Sequence, residues 1–348
     1  MKQVSKGMST QMASYALAIL MAVATATTVQ ATDWNVVAAV ESPDRGSQAL
    51  AFLPNELWVH PGDTIHWTFA THERHTLTFL KPGQTRPAGF SSVFGVEIGC
   101  PGTTPDGSSF DGTSCVHSGV LQLDDAVPTT SVPSYSVRFP STGNFKFVCL
   151  FHADMTGQVH VLDLSQPLPH NQDYYDREAH REQALLIAAA SRLQGQGTPS
   201  AQDGAQNSVA VGNGAIMTTT GAGSVTASLM RFARDNITVH VGDTVEWINF
   251  DPSINHTVTF GTEPADPRTI SGNVQTTSDG ARQATIGSPT DSVNSGYLTP
   301  TPQDRSNLAQ ASSNVTRFRV TFTATGTFNY ICAIHDELGM KGTVIVNP

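Results

Sequence analysis

The sequence is poor in charged residues, in cysteine and in long apolar runs. Only 14% of its 348 residues are charged, which disfavours a long coiled coil and a highly charged disordered chain. Lys and Arg number 19 against 29 Asp and Glu, so the basic excess of a general nucleic-acid-binding protein is missing and no nucleic-acid partner is expected. In contrast, 29 glycines and 20 prolines favour turn-rich β structure.

The N-terminus, residues 1–31, is predicted to be an export signal. Lys2 and Lys6 precede an apolar run over residues 15–24, and Ala31 ends a small-residue cleavage site. The run is shorter than the ~20 residues of a comfortable membrane span, and no later stretch is long enough, so we expect no stable membrane insertion after cleavage. An uncleaved anchor is the alternative. The mature protein is therefore expected in the periplasm or outside the cell.

The chain contains two copies of one domain. Three segments recur in the same order, and the offset between the copies drifts only from 180 to 183 residues. The pairs are Leu57–Trp67 with Ile237–Trp247, His75–Phe79 with His256–Phe260, and Val137–Cys149 with Val320–Cys332. This period is too long for a solenoid repeat, so each copy should fold by itself. Apolar and polar residues alternate within the matched segments, which predicts a β-sandwich for each copy.

A helix and a linker are predicted between the copies. Asn171 or Asp173 caps a helix that ends near Leu193, and the Gly-, Gln- and Ser-rich segment after it is expected to be flexible. We expect the helix to pack on its own domain. The predicted boundaries are residues 1–31 for the signal, 32–166 for the first domain, 167–206 for the helix and linker, and 207–348 for the second domain.

The four cysteines fall into two kinds. Cys100 and Cys115 lie in a Gly-, Ser- and Thr-rich loop with little core of its own, where a disulfide that closes the loop is expected. Cys149 and Cys332 instead end β-like segments, and each is followed by a histidine three residues later. A second disulfide, between Cys149 and Cys332, is the alternative to a role in metal binding.

Each copy carries two histidines, one cysteine and one methionine in the same order. The two candidate sets are His75, Cys149, His152 and Met155 in the first copy, and His256, Cys332, His335 and Met340 in the second. His72 competes with His75, but only His75 lies in the His-Thr-x-Thr-Phe string that both copies share. Soft sulfur donors favour Cu(I) and imidazoles suit both oxidation states, so these donors predict a blue copper site in each copy. A structural zinc site would more usually have another Cys or His in place of Met.

These motifs resemble those of the cupredoxins, specifically the plastocyanin-like and amicyanin-like electron carriers. The resemblance covers both halves of the chain outside the linker and two loop inserts, near residues 81–130 and 262–312. It implies an all-β fold of two Greek-key β-sandwiches, which the helix and flexible linker predicted above would join. The first copy has the Cys-x2-His-x2-Met spacing of amicyanin and the second the Cys-x2-His-x4-Met spacing of plastocyanin, which implies two differently tuned sites. Thr76 and Thr257 stand where those families commonly have Asn, so the hydrogen bonds around the ligands are expected to differ.

The resemblance implies an electron-transfer protein that binds two coppers per chain and exchanges electrons with redox partner proteins of unknown identity. In the family, the electron usually passes through the exposed edge of the downstream histidine, here His152 or His335. An enzyme is not expected, because the chain lacks the His-x-His and His-Cys pairs of multicopper oxidases and copper nitrite reductases. A copper carrier or store, and a module with silent or empty copper sites, are the alternatives.

Three further histidines are expected to play no part in metal binding. His60 and His240 align in a Val-His-x-Gly-Asp-Thr string, but each lies at a strand end before a turn, far in sequence from the ligand loop. We therefore expect both on the surface. His117 lies within the first insert and is expected to be solvated.

Overall fold

The computed structural model describes residues 30–83, 100, 102–125, 132–194, 207–219, 223–300 and 315–348. Residues 1–29 of the predicted export signal and residues 195–206 of the predicted linker lie outside the described residues. In the ranges that are described, no helix is long and apolar enough to cross a membrane.

Ten strands form the first half of the chain within the described residues. They are β1 (Asp33–Glu41), β2 (Ser47–Leu53), β3 (Glu56–Val59), β4 (Thr64–Thr68), β5 (Thr78–Phe79), β6 (Ser108–Ser109), β7 (Val116–His117), β8 (Ser134–Arg138), β9 (Gly143–Val148) and β10 (Thr156–Val161). Strands β1, β2, β4, β6 and β8 lie in one sheet, and β3, β5, β7, β9 and β10 lie in another. Between the sheets is a core that includes Trp67, Phe79 and Phe147, all fully buried.

The second half has eleven strands in the part of the chain that the structure describes. They are β11 (Asn207–Thr219), β12 (Gly223–Ala233), β13 (Asn236–His240), β14 (Thr244–Phe250), β15 (Thr259–Phe260), β16 (Gln275–Thr276), β17 (Arg282–Ile286), β18 (Val293–Asn294), β19 (Arg317–Phe322), β20 (Gly326–Ile331) and β21 (Lys341–Asn347). Strands β13, β15, β18, β20 and β21 form one sheet, and the others belong to a second. Trp247, Phe260 and Tyr330 are buried in the core of this half.

The two halves repeat one strand arrangement. Strands β3, β4, β5, β8, β9 and β10 correspond in order and pairing to β13, β14, β15, β19, β20 and β21. In each half the first strand also runs parallel to the fourth, β1 beside β4 and β11 beside β14. Alternation of exposed and buried residues, as in β13, places every second side chain in a core. The prediction of an all-β fold with two sandwich domains and a helix between them is confirmed.

The string that contains His60 and His240 forms a tight turn in both halves. Gly62 and Gly242 have φ values of 99° and 93°, a backbone conformation that favours glycine. The aspartate after each glycine accepts a hydrogen bond from the N–H of the histidine three residues earlier, at 2.9 Å and 2.8 Å. The two histidines therefore align because they belong to a shared turn. His240 is exposed, whereas His60 is half-buried and its Nε2 lies 2.9 Å from a backbone carbonyl.

One sheet runs through both halves. Strands β2 and β12 are antiparallel neighbours, with Gln48 opposite Ser228 and Ala49 opposite Ala227. Among the described residues, this pairing joins one sheet of each half, five strands from the first half and six from the second, into a single sheet of eleven strands. Residues 31–348 accordingly form one compact unit.

The helix α1 (Gln172–Leu193) follows the first sandwich. Its cap is Asn171, whose side chain accepts a hydrogen bond from the N–H of Tyr174 at 3.0 Å. Apolar side chains of its buried face, among them Leu186, cluster with residues of β2 in the first half and β12 in the second. The expectation that the helix packs on one domain is wrong, because the joined sheet presents a continuous apolar surface to it.

Candidate metal centres

The first candidate centre lies where the connection between β4 and β5 meets the loop between β9 and β10. His75 is on the first of these segments. Cys149 directly follows β9, and His152 and Met155 lie on the loop that leads to β10. Strands β5 and β9 are antiparallel neighbours, so their pairing brings His75 next to this loop.

Three donor atoms of the first centre converge in the protein interior. Nδ1 of His152 lies 3.2 Å from Nδ1 of His75 and 3.6 Å from Sγ of Cys149. All three residues are at most 2% exposed. Donor atoms of the three side chains lie within 4.8 Å of one another, so one cation can contact them all.

The second candidate centre repeats this arrangement. His256 lies between β14 and β15, and Cys332 directly follows β20. Nδ1 of His335 lies 3.1 Å from Nδ1 of His256 and 3.4 Å from Sγ of Cys332. These three residues also have donor atoms within 4.8 Å of one another, and they are at most 1% exposed.

The methionine of each copy is buried at the end of its ligand loop. Met155 and Met340 are both 0% exposed. The carbonyl of each accepts a hydrogen bond from the backbone N–H of the cysteine in the same loop, at 2.9 Å in the first copy and 3.0 Å in the second. The same backbone contact therefore closes both loops, although the second loop is the longer one.

Two threonines hold the thiols in place. The N–H of Thr76 lies 3.4 Å from Sγ of Cys149, and the N–H of Thr257 lies 3.3 Å from Sγ of Cys332. The hydroxyl of each threonine accepts a hydrogen bond from the residue after the cysteine, at 2.8 Å and 2.7 Å. The residues that stand in place of asparagine thus supply hydrogen bonds of their own around both centres.

The charges of each cluster favour a thiolate beside an imidazolium. Burial opposes ionisation of Cys149, but the neighbouring His152 outweighs it and holds the pKa of this thiol well below its usual range. Burial likewise opposes a charged His152, yet the thiolate raises the pKa of His152 to about 9. In the second centre, the attraction between the thiolate and the imidazolium likewise lowers the pKa of Cys332 and raises the pKa of His335 to about 10. Since the thiolate is the form that binds metal, both cysteines are prepared for ligation.

The donor set of each centre fits copper. Two imidazoles, a thiolate and a buried thioether are typical of blue copper sites. A structural zinc site commonly has a fourth cysteine or histidine. Within the described residues, each cluster of histidine, cysteine and carboxylate donors contains only three members, two His and one Cys.

Neither downstream histidine reaches the surface. The resemblance to single-domain electron carriers implied an exposed ring edge, but His152 is 2% and His335 is 1% exposed. The two ligand loops are covered because the halves meet over them: Leu338 of the second loop is buried in the core cluster of the first half. The expectation of an exposed edge is therefore wrong for this chain.

A buried carboxylate that the sequence patterns did not reveal lies between the two centres. Oε1 of Glu73 is 3.3 Å from Nε2 of His152, and Oε2 is 3.3 Å from Nε2 of His335. Burial opposes ionisation of Glu73, but the two histidines outweigh burial and hold its pKa well below the usual range. One feature of the sequence could have revealed Glu73: it is an acidic residue two positions before the candidate ligand His75, where the second copy has Ile254.

Other histidines near the centres have partners elsewhere. The ring of His72 lies between Glu41, at 2.6 Å, and Asp125, at 3.0 Å, and does not join the cluster around His75. His117 is fully buried in β7, and its Nδ1 lies 2.9 Å from the hydroxyl of Thr78. The expectation that His117 is solvated is wrong, because the first insert folds against the sandwich at this point.

Cys100 and Cys115 form a disulfide, as expected, whereas Cys149 and Cys332 are free. The alternative of a second disulfide is thereby wrong. The disulfide belongs to a buried cluster with Leu150, the residue directly after Cys149. The insert of the first half therefore packs against its own ligand loop.

The fold and the donor arrangement together define a class of protein. Each sandwich places one histidine between two strands, and a cysteine, a histidine and a methionine on the loop between its last two strands. This is the arrangement implied by the resemblance to the cupredoxins.

A comparison with protein families finds a match within the second half of the chain. Residues 219–347 match the copper binding proteins of the plastocyanin/azurin family. No curated protein sequence matches the chain. Because the first sandwich repeats the strand order of the matched one, the cupredoxin fold is confirmed.

Solved structures of cupredoxins are similar to parts of this chain. Oxidised plastocyanin from Dryopteris crassirhizoma is 20% identical, over 40% of this chain and 99% of that one, with a TM-score of 0.21. An oxidised mutant of amicyanin is 20% identical, over 42% of this chain and 86% of that one, also with a TM-score of 0.21.

Proposed function

We propose that this chain is an exported copper-binding protein that transfers electrons and has a type 1 (blue) copper centre in each sandwich. The ligands would be His75, Cys149, His152 and Met155 in the first centre, and His256, Cys332, His335 and Met340 in the second. When bound, copper supplies one-electron exchange between Cu(II) and Cu(I). The observation that carries the proposal is the convergence, in each half, of a buried thiol and two buried imidazole nitrogens.

The protein's contribution to this function is a fixed, dry environment for the donors. Each donor is buried within a packed sandwich, so its position should change little when the charge of the centre changes. The N–H groups of Thr76 and Thr257 point at the sulfur atoms and stabilise negative charge there. A centre that needs little rearrangement can exchange an electron quickly.

Export to an oxidising compartment is part of the proposal. The sequence of residues 1–31 has the features of an export signal. The disulfide between Cys100 and Cys115 supports the same location, because disulfides persist in the periplasm and outside the cell and are rare in the cytosol. The proposed partners are redox proteins of that compartment, and we propose no enzymatic activity.

Copper stoichiometry, visible absorption and EPR of the copper-loaded mature protein test the proposal. We expect two coppers per chain and thiolate-to-copper charge-transfer bands. Cys149→Ser and Cys332→Ser should each remove one copper and leave the other centre intact. The double variant Cys100→Ser/Cys115→Ser is the matched control and should retain both coppers. A chain that binds one copper contradicts the two-centre proposal, and a chain that binds none contradicts copper binding altogether.

The alternative functions give different results with the same sample. A copper carrier or store would bind Cu(I) without fast, reversible oxidation and reduction. An oxidase or reductase would turn over a substrate such as dioxygen or nitrite. Reversible one-electron chemistry of both centres, without turnover, is the result expected for electron transfer.

A further inference from the structure

The ligand loops of the two halves face a shared residue, Glu73. This glutamate is 7% exposed, and its two oxygens divide between the halves, one near His152 and one near His335. Its backbone N–H donates a hydrogen bond to the hydroxyl of Thr71 at 3.2 Å, which fixes the start of the side chain. In the position that it adopts, the carboxylate contacts both histidines.

The rings of the two histidines use their nitrogens in the same way. Nδ1 of His152 faces Sγ of Cys149 at 3.6 Å, and Nδ1 of His335 faces Sγ of Cys332 at 3.4 Å. Nε2 of each ring faces Glu73. A histidine that ligates a metal commonly donates its other N–H to a carboxylate, which fixes the tautomer and the ring orientation. Here a single carboxylate serves a histidine in each of two centres.

The second copy has no residue equivalent to this carboxylate. His256 aligns with His75, so the counterpart of Glu73 is Ile254, which is buried in the core cluster of the first half. Met230 and Leu338 of the second half belong to the same cluster. Apolar side chains of the second half thus cover the region around the first centre, whereas Glu73 makes a polar contact with a histidine of each centre.

We propose that Glu73 is a positioning residue that joins His152 and His335 into one hydrogen-bonded bridge, and that electrons pass between the two halves along this bridge. The inference rests on the proposed function, since it requires a redox-active metal in both halves. In each exchange one half loses one electron and the other gains it. No covalent bond forms or breaks, and both Nε2 hydrogens stay on their rings.

Two features of the structure favour this route. The path from His152 to His335 consists of two contacts of 3.3 Å through Glu73. Both rings are almost completely buried, so neither offers an edge to a partner at the surface. An electron that enters at one centre therefore has a short, buried route to the other.

Imidazole N–H signals test the bridge without any electron-transfer assay. In ascorbate-reduced protein labelled with [15N]histidine, we expect two Nε2–H resonances that exchange slowly with solvent. Glu73→Ile, which copies the residue of the second copy, should make both exchange about 10–100-fold faster, because each N–H loses its hydrogen bond to a charged acceptor. Glu73→Gln has one acceptor oxygen and should protect only one of the two N–H groups from exchange. The matched control is Glu56→Gln, because Glu56 contacts Nε2 of His160 at 2.9 Å, outside both centres.

Pulse radiolysis tests the electron route. A pulse reduces part of the oxidised, copper-loaded protein, and the thiolate-to-copper bands report how fast the electron redistributes between the centres. We expect Glu73→Ile to slow this step by roughly 10-fold or more while Glu56→Gln leaves it unchanged. Should Glu73→Ile lose copper, Glu73→Gln, which preserves the shape of the side chain, decides by the same measurement.

The results separate the bridge from the proposed function. Unchanged N–H exchange and unchanged redistribution in a Glu73 variant that keeps two coppers would overturn the bridge and leave the copper centres standing. Absence of copper bands in the unmutated protein would instead contradict the proposed function.

Discussion

The two halves of the chain hold the same donors in different surroundings. Each half begins with a strand that is interrupted by a bulge, and the bulge residue is Ala39 in β1 and Gly212 in β11, with φ values of 59° and 69°. Across the two cores, His117 of the first half pairs with Thr78 where the second half has Asn294 opposite Thr259. The repeated strands fix where the donors lie, while the residues around them have diverged. The comparison teaches that the centres are related by fold but are not duplicates.

The inserts of the two halves are also anchored by different means. In the first half, a disulfide closes the insert against the ligand loop. In the second half, Glu246 is 0% exposed and contacts Arg319, which in turn contacts Asp279 of the insert. The counterpart of Glu246 in the first half is His66, which is partly exposed. A covalent link thus anchors the insert of the first half, and an ion cluster anchors the insert of the second.

Removal of the buried carboxylate at the ion cluster should have the largest effect on stability. Glu246→Leu removes a fully buried carboxylate that contacts the buried Arg319, and breaking a buried pair in this way costs about 3–5 kcal/mol. Urea unfolding followed by circular dichroism measures this loss. The equivalent change in the first half, His66→Leu, is expected to stay within about 0.5 kcal/mol because it removes no buried charge. Equal losses in the two variants would contradict the comparison.

Loss of the disulfide should destabilise the first half somewhat less. Cys100 and Cys115 are separated by 15 residues, and a disulfide that closes a loop of this size contributes about 3 kcal/mol. The double variant Cys100→Ser/Cys115→Ser should therefore unfold at lower urea concentration. Because the disulfide packs against Leu150, its loss should shift the absorption bands of the first centre alone. Equal shifts at both centres would show that the insert does not act locally.

A methyl group at the bulge of β11 should disturb only the second centre. A Cβ at Gly212 would collide with Nε2 of His256, so Gly212→Ala forces the ring to move and costs about 1–3 kcal/mol through overpacking. EPR of the copper-loaded variant should show an altered second centre beside an unchanged first one. The matched control is Ala39→Gly, which removes a methyl group at the equivalent bulge and should leave the second centre as it is.

A change in α1 should have the smallest effect and should favour neither half. Burial, reinforced by Glu178, raises the pKa of Glu182 to about 7, and its Oε2 has no hydrogen-bond partner among the described residues. Since the folded pKa lies above the usual value, the ionised form destabilises the protein, fully above about pH 7 and not at all well below pH 4.5.

Thermal melts of Glu182→Gln should therefore show a higher melting temperature at pH 8 and no gain at pH 4. Because α1 packs on both sandwiches, the melting transitions followed at the two centres should shift together. A gain that is the same at both pH values would contradict a role of the carboxylate charge.

The sequence predicted what depends on local pattern. The candidate donors around Cys149 and Cys332 lie on loops next to recurring strands, so spacing and repetition were sufficient to predict that two histidines and one cysteine converge in each half. Glu73 was missed because one of its partners, His335, lies in the other copy, and a contact across a domain junction has no local pattern. The burial of His152 was missed for the same reason, since single-domain relatives have no second sandwich to cover that ring.

The pairing of β2 with β12 carries a consequence for the history of the chain. With the 180-residue offset of the neighbouring repeat, Ser228 is the counterpart of Gln48, and these two residues stand opposite each other. A strand that pairs with its own counterpart has the symmetry of an isologous dimer interface. One copy alone would present an open edge strand, and two such molecules can close that edge on each other. The present chain thus has the geometry of a homodimer whose two subunits are joined in one polypeptide.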